Sequence, residues 1–235
     1  MCGRFATTQT DDELLAVFGA REVLGEQLPP SYNVAPTQPV RVVLERAPRE
    51  APETTPVRQL RTAKWGLVPS WSRDPKIGSR LINARMETIT EKPSFKAAAA
   101  RRRAIVPCSG YYEWTQHDGT KVPYFLHGDG VLAMAGLYEL WPNPDLLDDD
   151  PNKWMWTVTV LTTTATDAAG QIHDRAPVIL PPAFRDHWLD PTLTSKDDVN
   201  ALLASIPEPH LDAYEVSTKV NSPRNNTPDL LNPVT

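Results

Sequence analysis

The chain has 235 residues, a formal net charge of -5 and 40% hydrophobic residues, with seven Trp but only two Cys. That length suits one large domain with enough Val, Ile, Leu and Trp to fill a core. Two cysteines exclude a disulfide framework, and the absence of any C-x-x-C or H-E-x-x-H pattern argues against a structural metal.

No stretch approaches the ~20 apolar residues of a membrane span, and no basic segment leads into an apolar run at the start. The sequence therefore reads as a soluble intracellular protein with no cofactor. Its charge is segregated: Arg58 to Arg103 holds twelve Lys or Arg against three acids (Asp74, Glu87, Glu91). A basic face on an acidic protein can arise in this way, although a solvated surface is the plainer reading of a charge run.

The chain opens Met1-Cys2-Gly3-Arg4. If Met1 is removed, Cys2 carries an α-amine and a thiol together, which titrate at roughly 8 and roughly 8.5 in the absence of perturbation. Such a 1,2-aminothiol captures an aldehyde as an imine, and the thiol then closes a five-membered thiazolidine. The bland alternative is an ordinary small residue after the initiator. Next, Thr10 and Glu13 form a capping box ahead of Leu14, Leu15, Val17 and Phe18, which predicts a short helix. Ser31 to Thr37 reads as an irregular loop. Val40 to Leu44 and Leu60 to Leu67 read as strands, and the polar Ala47 to Pro56 insert between them as a mobile hairpin tip.

A helix is expected over Ser94 to Arg102, rich in Ala and basic at its end. Five β-branched and aromatic runs follow: Ala104 to Pro107, Gly110 to Trp114, Val122 to Leu126, Val131 to Leu137 and Trp154 to Leu161. Asp118-Gly119 is the clearest turn between them. Short helices are expected over Pro182 to Trp188 and Lys196 to Leu203, and an irregular tail from Asn221 to Asn226. Mixed strands with helices grouped outside them predict a single α+β domain with a curved, mainly antiparallel, barrel-like sheet and peripheral helices.

Polar groups on loops or strand ends gather in four segments: Met1 to Phe5, Asn83 to Thr88, Gly110 to Trp114 and His173 to Pro177. Glu113 lies among Tyr111, Tyr112 and Trp114, a setting that raises a carboxyl pKa and suits acid–base work; the alternative is a plain strand-end glutamate. His173 carries the side chain that titrates nearest neutrality, with a surface or core histidine as the alternative. Asn83 reads equally well as a turn residue. Cys108, without an α-amine, reads as a packing residue.

In order along nearly the whole chain, Tyr32 to Thr37, Trp65 to Pro69, Arg103 to Trp114 and Val216 to Asn226 resemble the SOS response-associated peptidase (SRAP) family, proteins that sense abasic sites in single-stranded DNA. The resemblance implies a single SRAP domain with a pseudo-barrel core, autocatalytic loss of Met1 and a thiazolidine crosslink from Cys2 to the abasic aldehyde. It also implies that Glu113 is the catalytic glutamate and His173 the histidine that assists sugar opening and imine protonation. Asn83 would orient Cys2.

Single-strand binding needs cations along phosphates and rings against bases. Arg4, Arg85 and Arg175 are the candidate phosphate contacts, and Trp65, Trp71 and Trp114 the candidate stacking residues. Asn33 and Pro36 are weaker candidates for touching the nucleotide, while Trp154 and Trp156 read as core. Ala176 departs from the Met usual in the family, and the acidic Asp145 to Asp150 insert has no assigned role. The implied partner is abasic single-stranded DNA, bound by a monomer in a bacterial cytoplasm or, alternatively, a nucleus. Two other readings stay open: a thiol peptidase acting on other proteins through Cys2, and a noncatalytic DNA-binding module.

Overall fold

The computed structural model describes residues 2–47 and 54–234. Strands β1 (Phe5–Thr7), β2 (Glu22–Leu24), β3 (Ser31–Val34), β4 (Pro39–Arg46), β5 (Val57–Trp65) and β6 (Asn83–Arg85) occupy the first third, together with helix α1 (Asp11–Phe18). Helix α2 (Lys96–Arg101) then leads into β7 (Arg103–Cys108), β8 (Gly110–His117), β9 (Thr120–His127), β10 (Leu132–Pro142) and β11 (Trp154–Thr164). Helix α3 (Asp167–Ile172), β12 (Arg175–Pro177), helices α4 (Pro182–Leu189) and α5 (Lys196–Ser205), and β13 (Asp212–Glu215) complete the set.

The strands form two sheets. In the larger, β11, β10, β7, β4 and β5 pair in that order, and parallel pairing of β5 with β11 (Lys64 opposite Thr157, Trp65 opposite Val158) closes them into a five-stranded barrel. The smaller sheet runs β13-β9-β8-β1-β3. Most pairings are antiparallel, so the expected α+β pseudo-barrel with peripheral helices is the fold observed.

Period-two alternation explains how one barrel serves two cores. Val40, Val42, Leu44, Ala104, Val106, Met134, Val158 and Val160 belong to the cluster that also holds Cys2. Their sequence neighbours Val43, Ile105, Ala133, Ala135 and Leu161 pack instead with Ala98, Trp188, Val199 and Leu202 of the helices. A third cluster joins Tyr112 and Phe125 to Val216, Val220 and Leu230 of the C-terminal segment.

The α1 capping box is present, with Thr10 accepting from the Glu13 backbone and the Glu13 side chain accepting from Thr10. The Asp118-Gly119 turn has positive φ at both residues, as a two-residue hairpin requires. Two expectations fail. Ser31–Val34 is a strand rather than a loop, because its backbone finds a partner in β1 (Phe5 opposite Val34). Trp154, expected in the core, is 40% exposed, since it sits at the far end of β11 opposite Pro142. The expected hairpin is confirmed by β4 and β5 pairing up to Arg46 and Val57, while residues 48–53 of its tip lie outside the described residues.

Candidate active site around the second residue

Strand β1 is flanked by β3 and β8, with Phe5 opposite both Val34 and Tyr111. The Tyr112 backbone N–H donates to Arg4 O at 2.9 Å, extending this pairing toward the N-terminus. Phe5 packs on Trp65 with ring centroids 4.9 Å apart. These contacts lead Cys2 into the core, where it is 0% exposed and shares a cluster with Phe5, Trp65, Cys108 and Tyr111.

Asn83 begins β6, which runs parallel to β11 with Asn83 opposite Val160. Its Nδ2 donates to Cys2 O at 2.7 Å. Glu113 follows Tyr111 by two residues on β8, so both side chains leave the same face of the strand. The Glu113 residue is 5% exposed, and burial pushes its carboxyl above the ordinary range, while nearby His173 pulls it the other way.

His173 stands at the C-terminus of α3, immediately before β12. Its Nδ1 accepts the Arg175 backbone N–H at 3.0 Å and lies 2.8 Å from Asp174 Oδ1. These two contacts ask for opposite protonation of Nδ1. The backbone N–H can only donate to that nitrogen, whereas the Asp174 carboxylate can only accept from it. The expected quartet Cys2, Asn83, Glu113 and His173 thus comes from four separate segments, with Asn83 bonded to Cys2 and Glu113 within electrostatic reach of both Cys2 and His173.

The thiol corrects one expectation. Free cysteine titrates near neutrality, but burial pushes the Cys2 thiol well above that value, and Glu113 and Cys108 add to the effect. The resting sulfur is therefore held as a thiol rather than a thiolate. Cys108 is also wholly buried and pushed up by burial, consistent with its reading as a packing residue.

The candidate binding residues divide. Arg85 is exposed and Trp71 is 60% exposed, so both are open to a ligand. Arg175 instead grips Glu87 with two bonds (2.7 and 3.0 Å) and donates to Thr162 O at 2.6 Å. Arg4 donates to Asn33 Oδ1 at 2.7 Å and Val220 O at 2.8 Å, and lies 5.9 Å from the centroid of the half-buried Trp114 ring. Trp114 Nε1 donates to Asn221 Oδ1 at 2.7 Å.

Trp65 is not a stacking platform: it is 0% exposed, with Nε1 donating to Ile82 O at 2.9 Å. Asn33 is not positioned to read a nucleotide either. It is buried, and its amide donates to Val220 O, Ser222 O and Asn225 O at 3.2, 3.0 and 2.8 Å, fastening the C-terminal segment. Pro36 is half-buried next to Thr37, whose φ of 72° is unusual for a residue other than glycine.

Sequence reasoning overlooked Glu87 and Tyr111. Glu87 lay inside a flagged segment, four residues after Asn83, and its acidic charge beside so many cations was the available signal. Gly66 was also passed over. Its φ of 127° and the approach of Gly78 O to 2.5 Å of a built Cβ leave no room for a side chain where the Trp71 loop departs.

Together, barrel and site define a protein built around a buried cysteine at its second position, with a carboxyl and an imidazole at hand. A family model described as SOS response associated peptidase (SRAP) matches residues 1–223, and the chain belongs to that family. The abasic site processing protein YoqW of Bacillus subtilis (strain 168) is 38% identical over 235 residues, covering 98% of this chain and 99% of that protein. The abasic site processing protein HMCES of Xenopus tropicalis is 31% identical over 271 residues, covering 98% of this chain and 78% of that one. A crystal structure of a Bacteroides thetaiotaomicron protein superposes with a TM-score of 0.80 at 26% identity, covering all of both chains.

Among the described residues no helix is long and apolar enough to cross a membrane, and no cluster of three His, Cys, Asp or Glu could hold a metal.

Proposed function

We propose that the protein processes abasic sites in single-stranded DNA by crosslinking to them through Cys2, after removing its own Met1. The observation that carries this reading is the 2.7 Å bond from Asn83 to Cys2 O, which fixes the second residue beside Glu113. The names of the relatives, abasic site processing proteins, support an abasic site as the substrate. Glu113, its carboxyl pushed up by burial, is suited to take up and return protons, first in Met1 removal and then in the addition steps.

The crosslink proceeds in two stages. The Cys2 amine lone pair forms the N–C1′ bond as the carbonyl π pair moves onto oxygen. Nitrogen gives up two protons in turn, both reaching that oxygen, which leaves as water to yield the imine. The thiol then adds across C1′=N: sulfur bonds to C1′ and its proton passes to nitrogen. A thiol held protonated serves this closure, because the imine nitrogen needs that proton. His173, beside Glu113, is the group suited to pass a proton to the sugar oxygen as the ring opens.

The buried, protonated Cys2 sulfur weighs against a thiol peptidase acting on other proteins, whose nucleophile must be a thiolate open to substrate. The test is incubation with an abasic oligonucleotide. An SDS-resistant adduct is expected from the wild type and none from Cys2→Ala. Peptide turnover without DNA, and no adduct, would replace this reading with the peptidase.

A further inference from the structure

Tyr111 and Tyr112 are neighbours with opposite fates. Tyr112 faces the third cluster, and its hydroxyl donates to Tyr32 O at 2.7 Å. Tyr111 faces the cluster of Cys2 and is 0% exposed, yet its hydroxyl has no hydrogen-bond partner among the described residues. A polar group left unsatisfied in a core destabilises the fold, so an orphan of this kind calls for a compensating role. Its surroundings suggest one. Burial, then Cys2, Glu113 and Cys108, push the phenol up, so it stays protonated and able to donate throughout the working pH range. Asn83 Oδ1, also buried and without a partner among the described residues, supplies an acceptor on a side chain bonded to Cys2.

We propose that Tyr111 is a further catalytic residue, its buried O–H donating to the C1′ oxygen as that atom turns from carbonyl to alkoxide. This rests on the crosslinking reading above. Addition of the Cys2 amine pushes an electron pair onto that oxygen, and a donor already fixed in a dry pocket stabilises the charge without reorganising. The hydroxyl gives up no proton in the addition itself. It holds the oxygen until the two protons released by nitrogen reach it and water departs. In the free protein the same hydroxyl has no partner among the described residues, so its worth is realised in the reaction.

The test is Tyr111→Phe, which deletes the hydroxyl and keeps the ring, using protein shown by intact mass to have lost Met1. Single-turnover adduct formation with an abasic oligonucleotide is expected to slow by about 100-fold, the effect of removing one such donor. Tm should stay level or rise, because a buried orphan has gone. Noncovalent binding to the same oligonucleotide carrying tetrahydrofuran, which lacks the C1′ oxygen, should be unchanged.

A slowing of less than about 10-fold overturns the assignment, as does a slowing matched by a lower Tm or by weaker tetrahydrofuran binding. If the wild type itself forms no adduct, the crosslinking reading falls and the Tyr111 role falls with it. If the wild type reacts and Tyr111→Phe keeps pace, only the Tyr111 role falls.

Discussion

Asn33 and Asn83 show how differently one side chain is used in two regions of this molecule. Around Asn33 the polar groups are committed: its oxygen accepts from Arg4, its nitrogen meets three carbonyls, and the Asn226 oxygen receives the Tyr32 N–H at 2.6 Å. Around Asn83 only the nitrogen is committed, to Cys2 O, while its own oxygen and the Tyr111 hydroxyl have no partner among the described residues. A satisfied network gives rigidity and leaves no donor to spare. An incompletely satisfied one sacrifices stability and is ready for atoms that arrive with a substrate. The C-terminal fastening is therefore scaffold, and the pocket of the second residue is, on the crosslinking proposal, machinery.

The comparison is sharpened most by the two tryptophans. Trp65→Ala empties a filled core site and is expected to cost about 3–5 kcal/mol, read from denaturant melts. Trp71→Ala, at an exposed site, should stay within about 0.5 kcal/mol yet weaken single-strand binding by about 1–3 kcal/mol if a base stacks there. Next come the asparagines. Asn33→Ala takes one acceptor from Arg4 and this donor from the Ser222 and Asn225 carbonyls, at about 1–3 kcal/mol of stability. Asn83→Ala should cost under about 1 kcal/mol and instead slow Met1 removal and adduct formation by about 10-fold or more. Equal stability losses at the two positions would break the distinction.

A smaller effect is expected at the arginines. Arg85→Ala should lower the slope of log affinity against log salt by about 1 for every single strand alike. Arg175→Ala should leave that slope nearly unchanged, because its guanidinium is occupied by Glu87 and the bond to His173 comes from the backbone N–H, which alanine keeps.

The smallest effect is the pH slope from Glu113. Its folded-state carboxyl lies above the unfolded value, so between the two values the folded protein holds the extra proton. Its contribution is then fully present below the unfolded value and is lost as pH rises through the folded one, the reverse of an ion-paired carboxylate. Melts of wild type and Glu113→Gln from about pH 4 to about pH 8 should differ by this slope alone.

Much of this architecture was legible because alternation and capping are local signals. The β7 to β11 runs, α1 and the two late helices declared themselves in that way. The short strands β1, β3 and β6 did not, since three or four residues carry no period and their pairing is decided by distant partners. The site residues were legible as types in segments, but their commitments were not. Nothing near Asn33 in sequence announces bonds to residues 220–225, and nothing near Arg175 announces Glu87. Burial of Trp65 and of the Cys2 thiol likewise follows from the barrel closing, a long-range event. Trp154 failed in the opposite sense: its strand is central, but its position at the strand's end is exposed.

The most direct measurement of the central claim is intact mass spectrometry of the protein after reaction with a defined abasic oligonucleotide. The account predicts one adduct, of mass equal to protein lacking Met1 plus oligonucleotide minus one water, with peptide mapping placing the link on Cys2 and Cys2→Ser leaving no stable adduct. An adduct that retains Met1, maps to a lysine or forms equally well with Cys2→Ser would contradict it.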